Sequence, residues 1–219
     1  MIEDGRDPDR LGDPSDARRQ LARAKLGSCE PDEILVNVGR QVFAKGQSYL
    51  LEAIEKLAPR RPRLRLLIAG RCGEASPTLA RSCERPVVRD RVRLLGHRED
   101  IPEILAAADL FVFPSQYEGL PGAVIEAMAL GLPIVASDIA PHRELLEEGR
   151  NALLVRRDSA VELAAAIETL LKDRETARAF GKRSREIFAD RFTLHESTRR
   201  KVELYHELVL ASRRHAADE

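Results

Sequence analysis

The chain has 219 residues, 43% of them hydrophobic, enough for one good core and a tight fit for two complete domains around a cleft. Lys plus Arg equals Asp plus Glu at 36 each, and a zero formal net charge gives no reason to expect a nucleic-acid partner. Cys29, Cys72 and Cys83 are odd in number and lack metal-like spacing; they suit a reducing compartment and not a disulfide framework. Residues 1–10 are charged rather than apolar and no apolar run approaches a membrane span, so a cytoplasmic protein without a signal peptide is expected, contact with a membrane surface being left open.

The first thirty residues are polar, with Pro8 and Pro14, and read as a lead-in with one short helix over about 15–25, N-capped by Ser15. Then the periodicity changes. The run 34–39 is apolar on both faces and ends in Gly39, as a buried parallel strand does. A helix is predicted over 47–57, with Leu50, Leu51, Ile54 and Leu57 at helical spacing. A second strand covers 64–70, a helix 74–84, a third strand 92–96, and a helix 101–108. A fourth strand at 109–114 precedes a helix over 121–130, stopped by Gly131. Strands at 132–137 and 151–155 follow. From Ser159 the chain reads as helical, with Val161, Ala164, Ile167, Leu170 and Leu171 on one face and a break at Asp173-Arg174. Helices over 175–188 and 194–212 close the chain, the last with Val202, Tyr205, His206 and Val209 on one side. Strand and helix alternate about six times. The fold class is therefore α/β, a doubly wound parallel sheet with helices on both faces, followed by C-terminal helices. Ligands of such sheets bind outside the carboxyl ends of the strands.

Two segments at those ends carry chemistry. In the first, Val38 to Gly46, Gly39 and Gly46 let the backbone turn tightly, Arg40 offers a rigid donor fork, and Lys45 offers a compact charge at an expected helix start. This suits a diphosphate, although the GxxxxGK[ST] pattern of a P-loop is absent. In the second, Glu118 lies in a loop after a strand and Glu126 inside the next helix, among apolar neighbours that leave a carboxylate in need of a partner. Gly119 and Gly122 uncover backbone N–H groups at that helix start. A glycosidase pair of carboxylates is the rival reading at this point, because spacing along the chain does not fix the distance between the two carboxyl groups. No His, Cys or carboxylate cluster has metal-site spacing. His142 reads as a loop histidine near a helix start, the His97 ring as surface, and His195 and His206 as packing or surface.

Three stretches are similar to one family: VGRQVFAKG at Val38–Gly46, DLFVFPSQYEGLPGAVIEAMALGLPIVASD at Asp109–Asp138, and ELLEEGRNALLV at Glu144–Val155. They resemble the C-terminal domain of retaining glycosyltransferases of the GT-B fold, the family 4-like group that includes glycogen-synthase-like and sucrose-synthase-like enzymes. The second stretch holds that family's Glu-x7-Glu motif as Glu118 and Glu126, and the likeness covers nearly the whole chain. It implies a lead-in over 1–31, a Rossmann-like nucleotide-sugar-binding domain over 32–190 and a helical extension over 191–219. Arg40 and Lys45, after Gly39, would hold the diphosphate of a nucleoside-diphosphate sugar. Glu126 would accept from the ribose and Glu118 from the donor sugar. Backbone at Gly119, Leu120, Pro121 and Gly122 would meet sugar and phosphate, and backbone at Gly96 and His97 the base edge. Arg40, Lys45 and Glu118 are the expected catalytic residues. The two glutamates would then bind donor rather than act as acid and base.

The resemblance implies transfer of a glycosyl group, with retention, from a uridine- or guanosine-linked donor, with no metal and no cofactor beyond that donor. The chain departs from the family at Gly70-Arg71-Cys72-Gly73, at Ile139-Ala140-Pro141-His142 and at Asn151-Ala152, positions richer in glycine elsewhere. The motif glutamates and the cationic pair are intact, so donor binding is expected to survive. Nothing before Ile34 has the length of the N-terminal half that holds the acceptor in full-length members. Three expectations follow: one part of a longer or split enzyme, a non-catalytic nucleotide-sugar-binding module or degenerate remnant, or a homo-oligomer lending the missing surface. Peripheral membrane contact of the complete enzyme is left open.

Overall fold

Strands that are apolar on both faces need helices on two sides, and the computed structural model supplies both layers. It describes residues 5–28 and 30–215; Cys29 and residues 1–4 lie outside them. The lead-in forms α1 (Pro8–Leu11) and α2 (Asp16–Lys25). The first half of the sheet region runs β1 (Glu33–Val38), α3 (Gln47–Leu57), β2 (Leu64–Ala69), α4 (Ser76–Cys83), α5 (Pro86–Arg89) and β3 (Val92–Gly96). The second half runs α6 (Ile101–Ala106), β4 (Leu110–Phe113), α7 (Gly122–Ala129), β5 (Ile134–Ser137), α8 (Ala140–Leu145) and β6 (Ala152–Val155). Then come α9 (Ala160–Lys172), α10 (Arg174–Arg191) and α11 (Leu194–His215). The short helices α1, α5 and α8 were not predicted; each holds a proline at N1 or N2 and is too short to show an apolar period.

The sheet order is β3-β2-β1-β4-β5-β6 and its pairings are parallel. Leu35 of β1 lies between Leu66 of β2 and Leu110 of β4. The chain builds outward from β1 to β3, then returns to place β4 on the other side of β1. Between β1 and β4 the following loops diverge to opposite faces, which opens a crevice at the carboxyl ends.

Alternation along each strand feeds two cores. Ile34, Val36, Phe111 and Phe113 pack with Val124 and Met128 of α7 and Ile187 of α10. Leu35, Leu66, Leu110 and Val112 pack with Leu50 and Ile54 of α3 and Leu163 and Ile167 of α9. Full burial of such a side chain contributes about 1.5–3 kcal/mol. The lead-in joins the first core through Leu11, Ala22 and Leu26. Ser15 caps α2 as predicted, accepting from the Arg18 N–H at 3.2 Å, and Asp173 at the predicted break caps α10 through Thr176 N–H.

Two predicted faces differ from those found. On α9, Val161 is 64% exposed and Ala160 and Leu163 take the buried positions. The rest of the predicted stripe holds: Ala164, Ile167 and Leu170 are buried and Leu171 packs against the second core, so only its first residue, next to the Ser159 cap, is misplaced. On α11, Val202, Tyr205 and His206 are exposed, His195 likewise, and nothing described covers that side; the Val209 side chain lies outside the described residues.

Candidate functional site

The crevice is walled by the loop after β1 and the loop after β4. Gly46 has φ +64°, and a Cβ there would stand 2.0 Å from the Pro114 carbonyl oxygen, so only glycine lets the two loops touch. The Gln116 N–H donates to the Ala44 carbonyl at 2.8 Å and fixes the contact.

This closure brings the two motifs together. Lys45 lies in a single 3-10 turn, Phe43–Lys45, just before α3 rather than in the helix start itself. Its Nζ donates to Glu118 Oε1 at 2.5 Å and sits 5.4 Å from the centre of the Phe113 ring. The Glu118 side chain is only 8% exposed. Arg40 is exposed on the same loop, and its side chain makes no hydrogen bond or ion pair among the described residues.

Beyond Glu118 the chain turns into α7, whose N-terminus has no side-chain cap. Of the four backbone positions expected to donate, Pro121 has no N–H and that of Gly122 is bonded to the Leu120 carbonyl at 2.9 Å. Gly119 and Leu120 are the N–H groups left to a ligand, at the positive end of the helix. Glu126 follows one turn in, 24% exposed, and accepts from Arg6 Nε at 3.0 Å. Gly96 ends β3 and His97 follows it, separated from β1 by β2; Gly96 has φ +67° and the His97 side chain is exposed.

A buried polar layer supports these groups and was not foreseen. Asn37 in β1 donates from Nδ2 to the Val112 carbonyl at 2.9 Å and accepts from Gln47 Nε2 at 2.9 Å. Gln47 also donates to the Gly39 carbonyl at 3.1 Å. A polar side chain inside an apolar run was the available signal, because buried amides require partners. The Ser137 hydroxyl donates to the Ser115 carbonyl. His142 is not the loop histidine that was expected. It lies fully buried in α8, with Nδ1 2.7 Å from the Ser137 carbonyl and its ring 5.6 Å from Phe113. The carbonyl places the hydrogen on Nδ1. Burial holds its pKa below the ordinary 6.5, opposed by the Ser137 carbonyl and by nearby Glu118, and aided by Lys45. Gln47 Oε1, Ser115 Oγ and His142 Nε2 are buried without a partner, and all three belong to this end of the sheet.

A cavity of about 500 Å³ lies at the opposite end, lined by Ser15, Arg19, Asp109, Leu132, Arg174 and Arg178. It faces the amino ends of β1 and β4, where sheets of this kind do not bind their ligands, so the candidate site is the open crevice. Among the described residues no group of three or more His, Cys, Asp or Glu could hold a metal ion, and no helix is long and apolar enough to cross a membrane.

Residues 18–187 match the family Glycosyl transferases group 1. The chain belongs to that family. Among relatives of this group 1 glycosyltransferase domain, the alpha-D-kanosaminyltransferase of Streptomyces kanamyceticus is 31% identical over 198 residues, which cover 90% of this chain and 51% of that protein. The putative glycosyltransferase EpsD of Bacillus subtilis is 32% identical over 201 residues, 92% of this chain and 52% of that protein. Among solved structures, Anabaena HepE in complex with UDP and glucose superposes with a TM-score of 0.87 at 26% identity, covering 94% of this chain and 56% of that one. The group 1 domain has the sheet and flanking helices of GT-B glycosyltransferase structures, and it spans about half the length of the curated relatives it matches.

Proposed function

We propose that this domain is the donor-binding half of a glycosyltransferase that moves a glycosyl group, with retention, from a nucleoside-diphosphate sugar to an acceptor hydroxyl. The observation that carries the reading is the Lys45–Glu118 pair across the β1/β4 crevice, beside an uncapped helix start with Glu126 one turn beyond. Cations and N–H groups suited to a diphosphate thus stand next to two carboxylates suited to hydroxyls. The HepE structure with UDP and glucose supports a uridine-linked donor as the first to test, with guanosine next.

On this reading Arg40, Lys45 and the Gly119 and Leu120 amides hold the diphosphate, and their charge makes the reaction metal-independent. As the bond from the anomeric carbon to the phosphate oxygen breaks, negative charge grows on the leaving diphosphate, and these groups stabilise it. The acceptor oxygen bonds to the same face of the sugar while its proton passes to the departing phosphate. Lys45 exchanges Glu118 for the diphosphate, and Glu118 turns to the donor sugar hydroxyls. Glu126 accepts from the ribose, and backbone at Gly96 and His97 meets the base. A second Rossmann-like half, from a longer chain or a separate subunit, supplies the acceptor site and excludes water.

Titration calorimetry against UDP, GDP and ADP, with the Arg40→Ala protein as control, tests this. Selective binding lost in Arg40→Ala is expected. A folded chain that binds none of the three overturns the reading.

A further inference from the structure

Arg6 stands apart from the cations already placed. Its backbone is clamped: the Arg6 N–H donates to the Phe192 carbonyl and its own carbonyl accepts from Leu194 N–H, both at 2.8 Å. A parallel bridge thus joins the lead-in to the junction of α10 and α11. From this anchor the side chain reaches across α7. Nε donates to Glu126 Oε1 at 3.0 Å, and Nη2 lies 2.0 Å from where a Cβ on Gly122 would stand. A side chain at position 122 would displace the guanidinium from where it lies on the first turn of α7.

The consequence falls on Glu126. One carboxylate oxygen is engaged by Arg6, while Oε2 accepts no hydrogen bond among the described residues. A glutamate on an exposed helix turn samples several rotamers; one held by a guanidinium with a bonded backbone favours the rotamer that keeps this pair, with Oε2 left to accept from a ligand. A vicinal diol needs such a preset acceptor, because ordering the side chain on binding would cost affinity.

We propose that Arg6 is a positioning residue for nucleotide recognition, holding Glu126 ready for the ribose hydroxyls of the donor. This rests on the donor-site reading above and adds a residue from outside the sheet to it. Arg6 acts through Glu126 and not on the phosphates.

The test titrates UDP, GDP and inorganic pyrophosphate into the full chain and into Arg6→Met, Arg6→Lys, Glu126→Gln and the Arg6→Met/Glu126→Gln double variant. The clamp uses only backbone atoms, so the Arg6 variants keep it; Arg6→Gln stands in if Arg6→Met fails to fold by circular dichroism. Arg6→Met is expected to weaken the nucleoside diphosphate that the unaltered chain binds by roughly tenfold, the scale of one charge-assisted hydrogen bond. Pyrophosphate affinity should stay unchanged, Arg6→Lys should restore part of the loss, and Arg6→Met should add nothing once Glu126 is Gln. Unchanged nucleotide affinity overturns the proposal. Tighter nucleotide binding overturns it by making the pair an obstruction, and an equal loss for pyrophosphate by making Arg6 a phosphate ligand. If the unaltered chain binds no nucleotide, the donor-site reading fails first and this inference falls with it.

Discussion

At the scale of single residues, the crevice holds one charge pair that a ligand would have to rearrange. Lys45 and Glu118 neutralise one another at 2.5 Å, so a diphosphate must outbid one carboxylate for one ammonium. Replacing Lys45 by alanine should weaken nucleoside-diphosphate binding by about 1.5–3 kcal/mol, read by calorimetry. Glu126→Gln should weaken binding of UDP or GDP and spare pyrophosphate; equal losses would argue against a ribose contact. His142 makes a different prediction. Its pKa is held below the ordinary 6.5 by burial, so below about pH 6.5 the unfolded chain takes up a proton that the fold refuses. Its contribution to stability is full above that pH and declines as pH falls through it. Denaturant unfolding at pH 7.5 and 5.5 should show a smaller drop for His142→Gln than for the unaltered chain. The charged residues of this candidate site were legible for two reasons: Arg40, Lys45 and Glu118 stand beside glycines in loops after strands, and Glu126 is a lone carboxylate among apolar neighbours in α7. His142, Ser115 and Ser137 were not, since nothing in their neighbours along the chain says that α8 turns inward.

Among the elements, α2 shows how a polar lead-in becomes part of the core. Arg23 is 2% exposed; it donates to the Ala107 and Asp32 carbonyls and pairs with Asp109 Oδ2 and Glu30 Oε1, both at 2.6 Å. Asp109 Oδ2 in turn accepts from the first buried residue of β1, the Ile34 N–H, at 2.7 Å. Arg23→Met would leave Asp109 partly buried with fewer donors, and should cost about 3–5 kcal/mol in denaturant unfolding. Helix and strand positions were largely readable, because β1, β2 and β4 are apolar on both faces and α3 has its leucines in phase. On α9 the face was read correctly at Ala164, Ile167 and Leu170 and missed at its start, where Ala160 and Leu163 are buried in place of Val161. The partners that bury Arg23 against the sheet, Ala107 and Asp109, lie far along the chain, so an arginine in an amphipathic lead-in gave no sign of burial.

For the whole molecule, the number of strands was readable and their order was not. Alternation requires a parallel sheet, but each crossover could place the next strand on either side, and only packing settles that β4 returns to β1. That return makes the crevice. The exposed side of α11 lies outside the two cores, so Tyr205, 66% exposed, contributes little to them; Tyr205→Ser should change unfolding free energy by less than about 0.5 kcal/mol. The bridge between Arg6 and Thr193 lies at the other extreme of range. It closes a loop that contains the entire sheet, which is costly in chain entropy, and it rests on two backbone hydrogen bonds. Such a contact opens while the strands stay paired. The amides of Arg6 and Leu194 should therefore exchange with deuterium well before that of Val36, and a nucleotide that engages Glu126 should slow them, since Arg6 spans both. Protection at the seam between the lead-in and the last helices would then report occupancy of a crevice that those two amides do not touch.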